Sequence, residues 1–299
     1  MSETMGSRRQ RYWDLRAAGN FIGGGSGTGL IIAAAVAAAY GNAFRETLML
    51  GIALIAVGLA LVWFEIGKPW RALHVFFHPR TSWMTREGIV AGVVIPLGVA
   101  AAMDASPTLA WLTAVFAGGF LYCQARILRA ARAILAWRQE EIVALIIAAG
   151  LAEGAALALI VGPRGGIGLG LAVAAALARE IAWRRYRDGL ARKRGAAASL
   201  AVFAAPPARR LGLLHRAGLG LIAAALIVPL SSPWFPDTAD ARVLLAIVGG
   251  ASVVLAGFGV KVLLITRAAF TGAIVIPITP GTSASSLSPQ DEGRFATKL

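Results

Sequence analysis

One cysteine in 299 residues, Cys123, removes whole classes of chemistry from this chain. A disulfide needs two thiols and an iron–sulfur cluster or Cys-ligated zinc site needs several, so any cluster must come from another polypeptide. Histidine is almost as scarce, with only His74, His78 and His215. A b-type haem held between two membrane helices needs paired axial ligands inside apolar runs. His74 and His78 lie outside such runs and His215 stands alone at a helix entrance, so no haem is expected, and a zinc site at His74 and His78 lacks a third ligand nearby. Charge is thin as well: 15% of residues are Asp, Glu, Lys or Arg against 58% hydrophobic. With a mean hydropathy of +0.70, this composition leaves no room for a soluble catalytic domain and is that of a polytopic membrane protein.

What is abundant is long apolar sequence. A bilayer core needs roughly 20 such residues per helix, and eight runs qualify, near 19–40, 46–65, 87–104, 107–127, 140–162, 165–184, 212–231 and 242–265. The third carries Pro96 and the sixth ends in Arg179 and Glu180. Both should span, because neighbouring helices satisfy a carbonyl freed by proline and long charged side chains near an end can snorkel. The fold expected is all-α: eight transmembrane helices packed as two four-helix bundles. Residues 1–267 form the integral membrane domain and 268–299 an extramembrane tail.

The net charge of +14 does not point to nucleic acid, because its excess falls on one membrane face. With eight spans in order, only Arg45, Arg164 and Arg242 of the 29 Lys and Arg lie on the side away from the termini. The positive-inside rule then places both termini in the cytoplasm. The twin arginine Arg8–Arg9 precedes a full-length span with no small-residue cleavage site, so the first run is read as retained. Membrane lipids are the partners this composition implies directly.

In the first run, NFIGGGSGTGL, Gly23 and Gly27, then Gly25 and Gly29, recur at the small-xxx-small spacing that lets another helix approach closely. Arg126, Arg129 and Arg132 form a stripe three residues apart that suits lipid phosphates. The basic stretch 184–210, with its AAAS and APPA segments, reads as an exposed linker of partial order. Trp13, Trp63, Trp70, Trp83, Trp137 and Trp183 match an interfacial aromatic belt, with Trp70 and Trp83 best placed to wall a flat headgroup.

Ionisable residues inside a membrane are costly and each is a hypothesis about function. Glu65 ends the second run and Glu87 starts the third, at matched depth on either side of a loop. Carboxylates there can accept a proton or hydrogen-bond a carbonyl oxygen. They can equally form ion pairs with Lys68, Arg71 or Arg86. Glu153 sits near mid-helix and needs a partner, which Lys261 supplies if the fifth and eighth helices meet. That pair suits a proton relay or a structural salt bridge.

Four stretches, WDLRAAGNFIGGGSGTG, GKPWRALHVFFHPRTSWMTREG, Tyr122 through Trp137 and GFGVKVLLITRAAF, resemble the membrane-anchor subunits of the DMSO reductase and polysulfide reductase family of complex iron–sulfur molybdoenzymes. The start and end resemble most the branch that serves phenylacetyl-CoA oxidation. The resemblance implies an anchor without redox metal, exchanging electrons between a four-cluster ferredoxin-like iron–sulfur subunit and quinone, either ubiquinone or menaquinone. A separate molybdopterin subunit performs the catalysis. It places the quinone reaction at Glu65 and Glu87, with Asn20, Arg80, Trp83, Arg86 and Tyr122 as the binding neighbourhood. Where the family often has His, this chain has Glu65. The implied location is the bacterial inner membrane. A cytoplasmic substrate such as an acyl-CoA would feed electrons to quinone. The other readings are the anchor of a quinol-oxidising reductase and, from a different class, a secondary transporter built around Glu153.

Overall fold

The computed structural model describes residues 3–5, 8–10, 12–64, 79–227, 238–271 and 274–276. Eight of its helices are long and apolar enough to cross a membrane: α1 (Leu15–Ala39), α2 (Arg45–Trp63), α3 (Trp83–Met103), α4 (Pro107–Ala130), α5 (Glu141–Val161), α6 (Gly166–Ala191), α8 (Pro206–Ile227) and α9 (Thr238–Val262). A short α7 (Ala197–Ala204) precedes α8, and α9 ends in one π-helical turn, Leu263–Arg267.

Local chemistry sets the boundaries. Asp14, Ser82 and Ser106 cap α1, α3 and α4, each accepting a backbone N–H of the first turn, and Pro107 follows its cap where a missing N–H costs nothing. Arg164 turns back to donate to the Leu159 and Ile160 carbonyls at 2.7 Å, closing the end of α5. Helix α3 runs unbroken through Pro96, and α6 continues to Ala191, well past the apolar run. Arg, Ala and Leu are good helix formers, so the helix does not stop where hydrophobicity does.

Helices α1 to α4 form one ring, each touching the next and α4 closing on α1; α5, α6, α8 and α9 form a second. The two four-helix bundles meet mainly through α1 and α5, as the sequence suggests. Each bundle has its own apolar core, Ile31, Leu48, Ile55, Val94 and Phe120 in the first, and Leu159, Leu169, Ile222 and Val253 in the second.

Glycine explains how α1 takes the centre. A Cβ on Gly23 or Gly27 would strike the α2 backbone at Leu54, Gly58 and Gly51, while one on Gly29 would strike α5 at Gly150 and Gly154. The two small-xxx-small pairs thus serve different neighbours, Gly23 and Gly27 facing α2 and Gly25 and Gly29 facing α5.

At the end of the bundles where the N-terminal segment, the 131–140 segment and α7 lie, here called the basic face, these pieces knit into a layer. Gln10 N–H donates to Ala269 O (2.9 Å), Thr271 N–H to Arg8 O (2.9 Å) and Leu135 N–H to Phe270 O (3.3 Å). Ser199 Oγ donates to Ala268 O (2.7 Å). A three-residue antiparallel pairing joins Glu3–Met5 to Ile274–Ile276. Two sequence expectations change here. Trp137 is fully buried, donating to Leu264 O at 3.1 Å, and Trp183 packs against Tyr186 and Phe203, so neither belongs to an interfacial belt. The 184–210 stretch is helical for most of its length, because Phe203 and Ser199 anchor it to the layer.

Candidate functional site

Three helices bring the predicted neighbourhood together about two turns, roughly 6–10 Å, in from the basic face. Glu87 is on the second turn of α3, Asn20 on the second turn of α1, and Gln124 two turns from the end of α4. All three are buried. Asn20 Nδ2 donates to Glu87 Oε1 at 3.4 Å, the Gln124 amide faces the same carboxylate, and Gln124 Nε2 donates to the Asn20 carbonyl at 3.1 Å. A side chain on Gly24 would occupy the space taken by the Gln124 amide, so this glycine lets Gln124 reach the carboxylate. Among the described residues no salt bridge reaches Glu87.

The neighbouring Arg86 does not pair with it. Its Nε donates to Pro79 O (2.8 Å) and its Nη2 to Arg80 O (2.9 Å), fastening the turn that leads into α3. Arg80 itself is exposed and joins the cluster through that carbonyl. The guanidiniums of Arg86 and Arg126 lie over the Trp83 ring at 4.2 and 4.4 Å, and Tyr122 meets Trp83 edge-on at 5.7 Å. Arg126 donates to the Tyr122 hydroxyl at 2.7 Å. Tyr122 is 40% exposed, and its hydroxyl hydrogen has no acceptor among the described residues. A cationic, aromatic rim therefore lies beside a buried carboxylate flanked by two amides. Such a site can bind a flat conjugated ring, donate to one carbonyl oxygen and exchange a proton.

Glu65, Lys68, Trp70, Arg71, His74 and His78 lie outside the described residues. Of the Arg stripe, Arg126 serves this cluster and Arg129 pairs with Glu140 at 2.6 Å, leaving Arg132, beyond the end of α4, exposed. Gln124 was not anticipated, although an amide within an apolar run is the same kind of signal as an intramembrane carboxylate.

Glu153 and Lys261 do meet. Lys261 Nζ lies 2.7 Å from Glu153 Oε2 and 2.9 Å from the Phe21 carbonyl, and Ser26 Oγ donates to the same carboxylate oxygen at 2.6 Å. The pair is sealed between α1, α5 and α9, with Gly25 leaving room for the ammonium and Gly257 for the carboxylate. A second buried set lies between α6 and α8. Glu180 receives Arg184 at 3.0 Å, with Arg179 and Arg216 each at 4.0 Å, and His215 Nε2 sits 3.1 Å from Ala176 O. Arg179 does not snorkel from a helix end as expected; α6 continues past it and leaves it 2% exposed.

A cavity of about 130 Å³ lies at the opposite face, lined by Tyr40, Thr47, Ala158, Pro163, Ile167 and Leu171. Its lining holds no carboxylate, amine or imidazole, so it does not share the chemistry of the Glu87 cluster. Among the described residues no group of three or more His, Cys, Asp or Glu is placed to hold a metal. No protein-family model matches the chain, and no curated protein is significantly similar to it.

Proposed function

We propose that this chain is the quinone-binding membrane anchor of a molybdopterin oxidoreductase complex, passing electrons from an iron–sulfur subunit to the membrane quinone pool as a cytoplasmic substrate such as an acyl-CoA is oxidised. One observation carries the reading. Asn20, Trp83, Arg86, Glu87 and Tyr122, named from segments up to about a hundred residues apart, meet in one cluster at the basic face. The loop from 67 to 88 that resembles the anchor family leads straight into it.

The residues fit a quinone headgroup. Tyr122, 40% exposed, offers an aromatic ring and a hydroxyl that can donate to a carbonyl oxygen, and Glu87 can hand over a proton. Reduction of a quinone consumes two electrons and two protons. The electrons come from the iron–sulfur partner, and Glu87 lies close enough to the basic face to be resupplied with protons from water. Arg86 and Arg126 fix the Trp83 ring and make the rim electropositive, which favours partial negative charge on the reduced oxygen. The transporter reading is weaker, since α1 and α5 run as unbroken helices past Ser26 and Glu153, without the discontinuity that such sites use.

Glu87→Gln keeps the shape and removes the ionisable group. Losing one charge-assisted hydrogen bond is worth about 1.5–3 kcal/mol, so quinone-dependent turnover should fall roughly ten- to hundredfold. Turnover with an artificial dye that takes electrons directly from the iron–sulfur partner should be unchanged. Equal loss of both reactions would make Glu87 an assembly residue, and no loss would place the quinone elsewhere.

The orientation has its own expectation. Reporter fusions after Leu299 and between Pro233 and Ala241 should report opposite sides of the membrane, with the C-terminal one cytoplasmic, given the charge asymmetry. A C-terminal reporter active only outside the cytoplasm would remove the case for a cytoplasmic substrate.

A further inference from the structure

The Glu87 cluster and the Glu153–Lys261 pair sit in different helix rings, yet both fasten to the same turn of α1. Gln124, from the first bundle, donates to the Asn20 carbonyl, and Lys261, from the second, donates to the Phe21 carbonyl. Gly24 leaves room for the Gln124 amide and Gly25 for the Lys261 ammonium. Successive helix residues differ by only about 1.5 Å in height, so the two polar groups flank one short stretch of backbone at nearly one depth.

The same turn is short of donors. Asn20 Oδ1, Gln124 Oε1 and Glu153 Oε1 are all buried acceptors without a protein partner. A buried oxygen left bare is costly, and internal water is the usual remedy where polar atoms cluster. Asn20 Oδ1 and Gln124 Oε1 lie at this turn of α1 and Glu153 Oε1 lies beside Gly257 of α9, and these three orphan oxygens mark the places where such waters would donate.

We propose that a water-completed proton relay joins Glu87 to the Glu153–Lys261 pair across the Asn20–Gly25 turn of α1. The pair holds one exchangeable proton, carried as the Lys261 ammonium or shared with Glu153. Transfer breaks an N–H or O–H bond on one side, forms one on the next water and ends at Glu87, with no electron moved. Lys261 and Ser26 supply the hydrogen bonds that keep the Glu153 end in place. The remaining charged groups near the pair come from α6 and α8. Arg179 lies within electrostatic reach of Glu153, with Glu180, His215 and Arg216 beyond it. Arg179 Nη1 and Nη2 and His215 Nδ1 also lack hydrogen-bond partners among the described residues, so α6 and α8 provide the rival route.

This inference extends the quinone reading by giving its buried carboxylate a second proton contact, but it can be tested without quinone. The chain has four lysines, Lys68, Lys193, Lys261 and Lys298, so the Lys261 ammonium is assignable by nitrogen NMR of the full chain, lysine-labelled, in lipid nanodiscs. Its exchange with solvent hydrogen is the readout. Glu87→Gln and Gln124→Met, both close to isosteric, should each slow that exchange by roughly tenfold or more, the factor one lost charge-assisted hydrogen bond carries. His215→Leu should leave it unchanged.

If neither Glu87→Gln nor Gln124→Met slows exchange, if only His215→Leu does, or if the native ammonium does not exchange at all, the relay does not exist. Should Gln124→Met fail to fold, Glu87→Gln decides alone. A chain that exchanges as expected but binds no quinone would keep the relay and remove the proposed function.

Discussion

Lys261→Met should destabilise the protein by about 3–5 kcal/mol, the usual cost of stranding one member of a buried ion pair. The Glu153 carboxylate would keep Ser26 as its one hydrogen-bond donor while losing a counter-charge at 2.7 Å, in a place 1–2% exposed. Because the pair sits where α1, α5 and α9 meet, the damage should appear as separation of the two bundles and not as local fraying. The double replacement Glu153→Gln with Lys261→Met removes both charges and should recover most of the loss, since exchanging a buried pair for neutral groups is often close to neutral. Denaturant unfolding of the purified chain in detergent measures both. A single variant as stable as the native protein would mean that the two charges do not depend on each other.

An opposite pair of outcomes is expected from two glycines. Ala is favoured over Gly in helices by about 1 kcal/mol, and at Gly118, where an added Cβ meets nothing within 4 Å, Gly→Ala should raise stability. At Gly154 the same methyl group would run into the backbone of Gly29 and Leu30. The obstacle is main chain, which cannot rotate aside, so Gly154→Ala should lose more than propensity gains, about 1–3 kcal/mol net. Gly154→Leu should prevent the bundles from docking. Thermal unfolding of the three variants side by side checks the signs; a stabilised Gly154→Ala would show that α1 and α5 do not pack this closely.

The architecture was largely legible in the sequence because bilayer thickness and helical rise set span length. Even the weak third and sixth runs obey it, Pro96 included. The glycine spacing also predicted contact, though not that its two registers would serve α2 and α5 separately. Glu153 and Lys261 could be paired in advance because an isolated charge in hydrocarbon demands a partner and the sequence offers few. What escaped were features set by tertiary packing. Trp137 has the composition of an interface residue but is buried by chain segments more than a hundred positions away. The stretch after Arg184 is polar enough to read as linker, yet α7 folds against the layer through Ser199 and Phe203. Arg126 suited a lipid phosphate by position; its bond to Tyr122 lies one turn back along α4, and the approach of α3 places Trp83 under its guanidinium. Of the candidate cluster, Asn20, Trp83, Arg86, Glu87 and Tyr122 could be named from side-chain chemistry and the family resemblance, Glu65 lies outside the described residues, and the part played by Gln124 required knowing which helix faces Gly24.

The separation of Glu153 and Lys261 along the chain, 108 residues, also sets a schedule for biosynthesis. At the usual 5–20 residues per second of translation, the carboxylate is made roughly 5–20 s before its ammonium exists. During that interval α5 can dock on α1 through Gly29, Gly150 and Gly154 and offer Glu153 the Ser26 hydroxyl, but nothing with a positive charge from α9. The half-built protein is therefore held together by backbone contact between glycines while its central electrostatic bond waits for the last helix. A nascent chain arrested before α9 should be the form that quality-control proteases recognise, because α5 has met α1 without being locked to it and the second bundle is still open.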